Sequence, residues 1–381
     1  MAIRKGETAI VGIGQTEFSK NSGRTEIQLA AEAVRAAILD AGLRPADVDG
    51  LVTMTHDTND ELALIRNVGI PLVRWTSRTP FGGGGSSALI EHAAAAVSSG
   101  AADVVVVYRA FNERSGNRFG QPTPGPAPPI LNWHRPYGLD TPAKMYALWF
   151  QRYMHQFGLT NEDFGRYSVV ARKHAATNPN AWFYNRPITL EDHQNSRWIV
   201  EPILRLLDCC QESDGGVAIV VTSADRAKDA RQKPVPIAAA TQGNVIDGDI
   251  IFNYYTPDTA RFPQAEYVAK QVYRSTGLRP ADIDAAMIYE NFSPVVFYQL
   301  EAFGFCGYGE AKDFIADGQI ELGGALPVNT HGGLLGEAYI HGVNNILEGV
   351  RQIRGTAANQ VAGASRVLCA VGHSALILGE A

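Results

Sequence analysis

The strongest constraint on the fold is an eight-residue stretch that occurs twice. Gly42-Leu43-Arg44-Pro45-Ala46-Asp47-Val48-Asp49 returns as Gly277-Leu278-Arg279-Pro280-Ala281-Asp282-Ile283-Asp284, identical at seven of eight positions. Each copy follows a segment with apolar residues at helical spacing. Each precedes a short apolar run that reads as a strand, Gly50-Leu51-Val52 or Ala285-Ala286-Met287-Ile288. A Gly at the head of each copy suits a helix stop, because Gly enters the left-handed region without a steric penalty. Helix, turn and strand recurring together imply an internal duplication, two α/β halves of similar plan.

With 381 residues, 45% of them hydrophobic, the chain can bury two or three cores. The charged run Arg226 to Lys233 marks the boundary, giving halves 1–235 and 236–381. In the first half, Thr8 to Gly14 reads as a buried strand and Glu26 to Ala41 as a helix. Gly82 to Leu89 opens an Ala-rich helix, and Asp103 to Tyr108 is a Val-rich strand. Asn112 to Pro142 breaks the pattern with repeated Pro and is too long for a simple connection. It begins an inserted region of about 112–200, read as a lid or as a docking surface for a partner. Net charge −6 and a pI near 5.9 give no reason to expect nucleic acid or an anionic membrane. No apolar run is long enough to span a bilayer, and the first residues do not read as a signal peptide. Cys209, Cys210, Cys306 and Cys369 form no CxxC pair and have no zinc-like spacing to His, so a reduced, cytoplasmic setting is expected.

The stretch Asn329-Thr330-His331-Gly332-Gly333, continued by Gly336-Glu337-Ala338-Tyr339-Ile340-His341-Gly342, reads as a Gly-led turn entering a helix from about Ile340. It resembles the Asn-Pro-x-Gly-Gly…Gly-His-Pro-x-Gly signature of the thiolase superfamily. Further anchors are Gly82 to Leu89, Asp214-Gly215-Gly216, Tyr289-Glu290-Asn291-Phe292 and Val371-Gly372-His373-Ser374. Ala9 to Thr16 and Leu300 to Gly307 are most similar to the sterol-carrier-protein-type thiolase and lipid-transfer branch. The resemblance implies a thiolase fold: duplicated βαβαβαββ halves, a mixed five-stranded sheet in each, and a five-layered α-β-α-β-α architecture.

The departures carry the function. Matching Gly85-Ser86-Ser87-Ala88-Leu89 to the family's pattern puts the nucleophilic Cys on Gly82. The catalytic His or Asn of the second motif falls on Tyr289, and the His of Gly-His-Pro falls on Tyr339. The C-terminal Cys falls on Ala370, with Cys369 one residue off and so on the opposite face of a strand. Ser86, Ser87 and Cys369 are the remaining candidate nucleophiles. Two phenols in place of the imidazoles suit proton transfer without an acyl-enzyme, as in a retro-aldol cleavage.

Tyr-Glu-Asn-Phe with Gly-Glu-Ala-Tyr resembles the steroid side-chain-cleaving aldolases among bacterial lipid-transfer proteins. That resemblance implies a lyase acting on a 17-hydroxy-3-oxo-steroid-20-carboxyl-CoA, with a 17-keto steroid and propionyl-CoA as products. It implies no cofactor beyond the CoA of the substrate and no metal in this chain. It also implies a homodimer joined by a small OB-fold, zinc-ribbon acyl-CoA-binding partner in an α2β2 assembly. Tyr289 and Tyr339 are the expected catalytic residues, and the N–H groups of Gly82 and Gly372 the expected thioester-oxygen donors. Supporting candidates are His341, tuning the phenol of Tyr339; His331 and Asn329, shaping the pocket; and His373. His56-Asp57, Trp133-His134 and Asn253-Tyr254-Tyr255 are weaker candidates, and Glu290 is read as structural. The rival functions are a lipid or acyl-CoA carrier without chemistry and an acyltransferase with another nucleophile.

Overall fold

The computed structural model describes residues 6–122, 132–246 and 256–380. Strand β1 (Thr8–Gln15) leads into helix α1 (Glu26–Ala41), which carries a capping box from Thr25 and Gln28. The helix ends because Gly42 takes φ +78°, and the equivalent helix α8 (Pro263–Thr276) ends on Gly277 at the same φ. Behind each glycine an Arg–Asp pair closes a short turn. Arg44 N donates to Asp47 Oδ2, and Arg279 N to Asp282 Oδ2, both at 2.8 Å. The repeated octapeptide is therefore one device used twice: a left-handed stop, then a turn aimed at a strand. Those strands are β2 (Gly50–Met54) and β9 (Ala285–Ile288).

Helix α2 (Glu61–Val68) leads to β3 (Trp75–Thr79), after which helix α3 (Ser86–Ser98) precedes β4 (Val104–Asn112). Strand β2 lies parallel to β3 and β4, and β7 (Asp214–Ser223) runs antiparallel to β4 and β1. In the second half β8 (Val235–Gln242), β11 (Ser374–Gly379) and β10 (Arg366–Val371) are antiparallel neighbours, and β9 is parallel to β10. Short pairing of β1 with β8 joins the halves into one sheet, ordered β3-β2-β4-β7-β1-β8-β11-β10-β9.

The expected five strands per half become five and four. The missing strand is reduced to one bridge, Ala286 with Val328. Pro327 has no N–H to donate, and Asn329 at φ +49° turns the chain away from extended geometry. Helix α12 (Val343–Arg354) starts three residues later than the sequence suggested. It and α3 are the central helices, each packed on strands of both halves.

The inserted region folds as α4 (Pro142–Phe157), α5 (Asn161–Ala176) and α6 (Leu190–Asn195). A small hairpin of β5 (Trp198–Val200) and β6 (Leu204–Arg205) follows. Although it interrupts the first half of the chain, Tyr146, Trp149 and Phe150 pack with Phe292, Phe297 and Tyr298 of the second. Helix α7 (Ala224–Ala227) and the residues to Val235 connect the halves. Helix α9 (Pro294–Ala302), α10 (Ala311–Ala316) and the single turn α11 (Gly333–Gly336) complete the described elements. No helix among the described residues is long and apolar enough to cross a membrane.

Candidate active site

Tyr289 follows the end of β9, and Tyr339 lies between α11 and α12. Their hydroxyl oxygens are 2.8 Å apart, within a cavity of about 680 Å³. Both rings are buried, which pushes both phenols well above their usual range. Neighbouring ionisable groups add to the rise, Cys210 and Glu113 in the case of Tyr339. Glu113 is itself buried in the cavity wall, and desolvation keeps its carboxyl protonated well above the usual range. Neither phenol is therefore a resident phenolate at neutral pH.

Backbone ties hold the pair in register. Cys210 N donates to Asn291 O at 3.0 Å, and Tyr339 N donates to Gln211 O at 3.2 Å. One short segment thus anchors the strand end that bears Tyr289 and the loop that bears Tyr339. Asn329 clamps Ile288 with both ends of its amide: its Oδ1 accepts from Ile288 N and its Nδ2 donates to Ile288 O, each at 2.8 Å. Gln299 on α9 donates to Tyr289 O at 2.6 Å. Gly83 faces the hydroxyl of Tyr289 so closely that a Cβ there would lie 2.3 Å from it. A phenol fills the space a side chain would need.

This chain is similar over its full length to proteins of known activity. It is 56% identical to the steroid side-chain-cleaving aldolase of Thermomonospora curvata, covering 100% of this chain and 99% of that one. It is 57% identical to the 17-hydroxy-3-oxo-4-pregnene-20-carboxyl-CoA lyase of Mycobacterium tuberculosis, covering 98% and 99%. The chain belongs to the family of steroid side-chain-cleaving aldolases. The aldolase of the solved Ltp2–ChsH2(DUF35) structure superimposes with a TM-score of 0.94 at 56% identity, covering 99% of this chain and 98% of that one. Residues 254–375 match the thiolase C-terminal domain-like family model.

In this aldolase Gly82, the expected position of the thiolase Cys, lies beside His56, with the imidazole about a contact distance from where its Cβ would be. Gly372 does not offer its N–H to a thioester. That N–H donates to Gln299 Oε1 at 3.1 Å, so the expected second backbone donor is already taken. His331 and Asn329 do not line the cavity. His331 sits behind it, with Nε2 3.1 Å from Asn345 Oδ1, and burial pushes its pKa down to about 4. Both brace the loop instead of shaping the pocket wall. His373 does line the cavity and stacks on Phe81 at 4.8 Å. His341 lines it too, packed 5.0 Å from the Tyr339 ring, but its Nδ1 accepts from Arg109 Nε at 3.1 Å rather than meeting the phenol. His56 reaches the cavity while Asp57 turns into the core to hold Arg109. Trp133 is 81% exposed and is not among the residues that line this cavity. Asn253, Tyr254 and Tyr255 lie outside the described residues. Glu290 is structural, accepting from Leu334 N at 2.7 Å.

The candidate nucleophiles fare poorly. Cys369 is sealed in the core on β10, and burial raises its thiol. Ser87 donates to Cys369 O at 3.1 Å, and neither it nor Ser86 lines the cavity. Cys209 and Cys210 do line it. Burial, reinforced by nearby carboxylates, raises both thiols, the opposite of what activates a nucleophilic cysteine. Sequence reasoning missed Arg109, Gln299, Gly83 and Glu113. Only Arg109 carried a signal: a cation set within the Val-rich run of β4, where an unpaired charge would be prohibitive.

Proposed function

We propose that this aldolase cleaves a 17-hydroxy-3-oxo-steroid-20-carboxyl-CoA by a retro-aldol reaction, giving a 17-keto steroid and propionyl-CoA. The observation that carries the mechanism is the 2.8 Å contact between the phenols of Tyr289 and Tyr339. Because burial keeps both phenols neutral, the proton moves as a relay. One phenol oxygen takes the proton of the substrate hydroxyl and passes its own across the shared hydrogen bond. The hydroxyl oxygen closes to a ketone, the bond between carbinol carbon and α-carbon breaks, and its electron pair moves into the thioester as an enolate. The second phenol gives its proton to the α-carbon, so the dyad ends with the protons it started with.

Apolar rings of Phe81, Phe119, Tyr146, Phe262 and Phe292 line the cavity and suit a fused-ring substrate. CoA enters on the substrate, and no further cofactor is part of this scheme. Gly82 opens a helical turn whose first N–H groups have no partner inside the helix, so its amide suits the developing oxyanion. The active form is a homodimer with a small OB-fold, zinc-ribbon partner, in the cytoplasm. The likeness to an aldolase solved as a complex supports that partner. The test is co-expression with such a partner and a mass-spectrometric assay. Release of propionyl-CoA and the 17-keto steroid is expected. Tight binding without turnover, or a covalent acyl adduct on the chain, would overturn the proposal.

A further inference from the structure

With the Gly372 N–H engaged by Gln299, only the Gly82 amide remains of the two backbone donors expected for an enolate oxygen. A chain of three buried side chains ends at the wall of this cavity. Asp57 Oδ2 accepts from Arg109 Nη1 at 2.9 Å, and Arg109 Nε donates to His341 Nδ1 at 3.1 Å. A guanidinium has only donors, so the Nδ1 it meets must be the acceptor. The hydrogen of the neutral imidazole then sits on Nε2, and that atom has no partner among the described residues. Burial and the adjacent Arg109 cation hold the ring well below its usual pKa, with His56 adding to the effect.

The ring cannot readily swing away. Phe111 stacks on it at 5.1 Å and 20°, and Phe119 and Tyr339 flank it at 5.4 and 5.0 Å. The backbone is also fixed in an unusual place, since His341 sits at φ +51° without being Gly. Arg109 is itself immobilised, its cation over Phe111 at 4.1 Å and its Nη1 also donating to Ala110 O. A buried ion pair spent on orienting one imidazole is costly unless that orientation is used.

We propose that His341 is a catalytic residue whose Nε2–H donates to the thioester oxygen as it gains charge, with Arg109 and Asp57 as positioning residues. The assignment rests on the retro-aldol reading above. A neutral donor suits this task. It stabilises the oxygen without surrendering a proton to it, which leaves protonation of the α-carbon to the phenols.

The test uses the full chain co-expressed with its small partner, in two parts. Nitrogen-15 NMR of histidine-labelled protein without substrate should show His341 as the Nε2–H tautomer at pH 7. Kinetics on the steroid thioester should show His341→Leu losing about 100-fold in kcat with KM within about threefold of wild type. His341→Gln, which returns an N–H near the same place, should recover at least about tenfold of that loss. An Nδ1–H tautomer, a wild-type kcat in His341→Leu, or His341→Gln no better than His341→Leu would overturn the inference alone. A wild-type enzyme that cleaves no β-hydroxyacyl-CoA would take the retro-aldol reading down with it.

Discussion

Tyr289 and Tyr339 stand 50 positions apart in the chain, yet their oxygens share one hydrogen bond. If they pass a proton between them they work as a unit. Tyr289→Phe and Tyr339→Phe should each lower kcat by about 100- to 10,000-fold, and the double variant should be no worse than either single one, read by steady-state kinetics. Independent roles would instead make the losses multiply. The same geometry makes Gly83 irreplaceable. Gly83→Ala would set a methyl 2.3 Å from Tyr289 Oη, so the ring must move. The expected result is a folded protein that has lost at least about tenfold in kcat, since small misplacements at a reacting centre are expensive. A crystal structure of the variant should show the phenol–phenol contact lengthened.

At the scale of elements, the site is assembled by ends rather than by regular structure. Tyr289 follows a four-residue strand, and Tyr339 sits on a loop with almost no helix of its own. Their precision comes from side chains that mimic backbone. Asn329 stands in for a missing strand beside Ile288, and Gln299 bridges Tyr289 O to Gly372 N. Gln299→Leu removes both bonds and strands two buried backbone groups. It should cost about 2–5 kcal/mol of stability, measured by denaturant unfolding, and lower kcat as the loop loosens. Of the four described non-glycine residues at positive φ, three, Phe81, Asn329 and His341, surround this site. Strain concentrated there fits a constellation held by its surroundings rather than by local preference.

For the whole molecule, buried histidines tie stability to pH on the acid side. His174 and His331 are held near pKa 4 by desolvation, below the 6.5 of an exposed imidazole. The unfolded chain therefore binds more protons between pH 6.5 and 4, and stability is lost as pH falls through that window. Burial raises Glu91 and Glu301 to about 7, which tilts stability the other way between about 4.5 and 7. The informative comparison is thus between variants: His331→Gln should flatten the fall in Tm below pH 6.5 relative to wild type. An unchanged acid limb would show that His331 is protonated in the folded state. At this scale too, the inserted region earns its place by packing, since its aromatic face closes the core of the opposite half.

Much of this protein was legible in its sequence because local rules govern it. The repeated Gly-Leu-Arg-Pro-Ala-Asp stop could be read as one device used twice, as a left-handed glycine and an Arg–Asp turn act within a few residues. Motif order singled out both tyrosines, and the fold brings their hydroxyls within 2.8 Å. Which groups partner one another is set by contacts far apart in the chain. Whether the Gly372 N–H is free depends on Gln299 from a helix 73 positions away, and the tautomer of His341 depends on Arg109 from a strand 232 positions away. Hydrogen-bond partners so distant along the chain leave no periodicity to read. They become visible only once the two halves have closed around a common cavity.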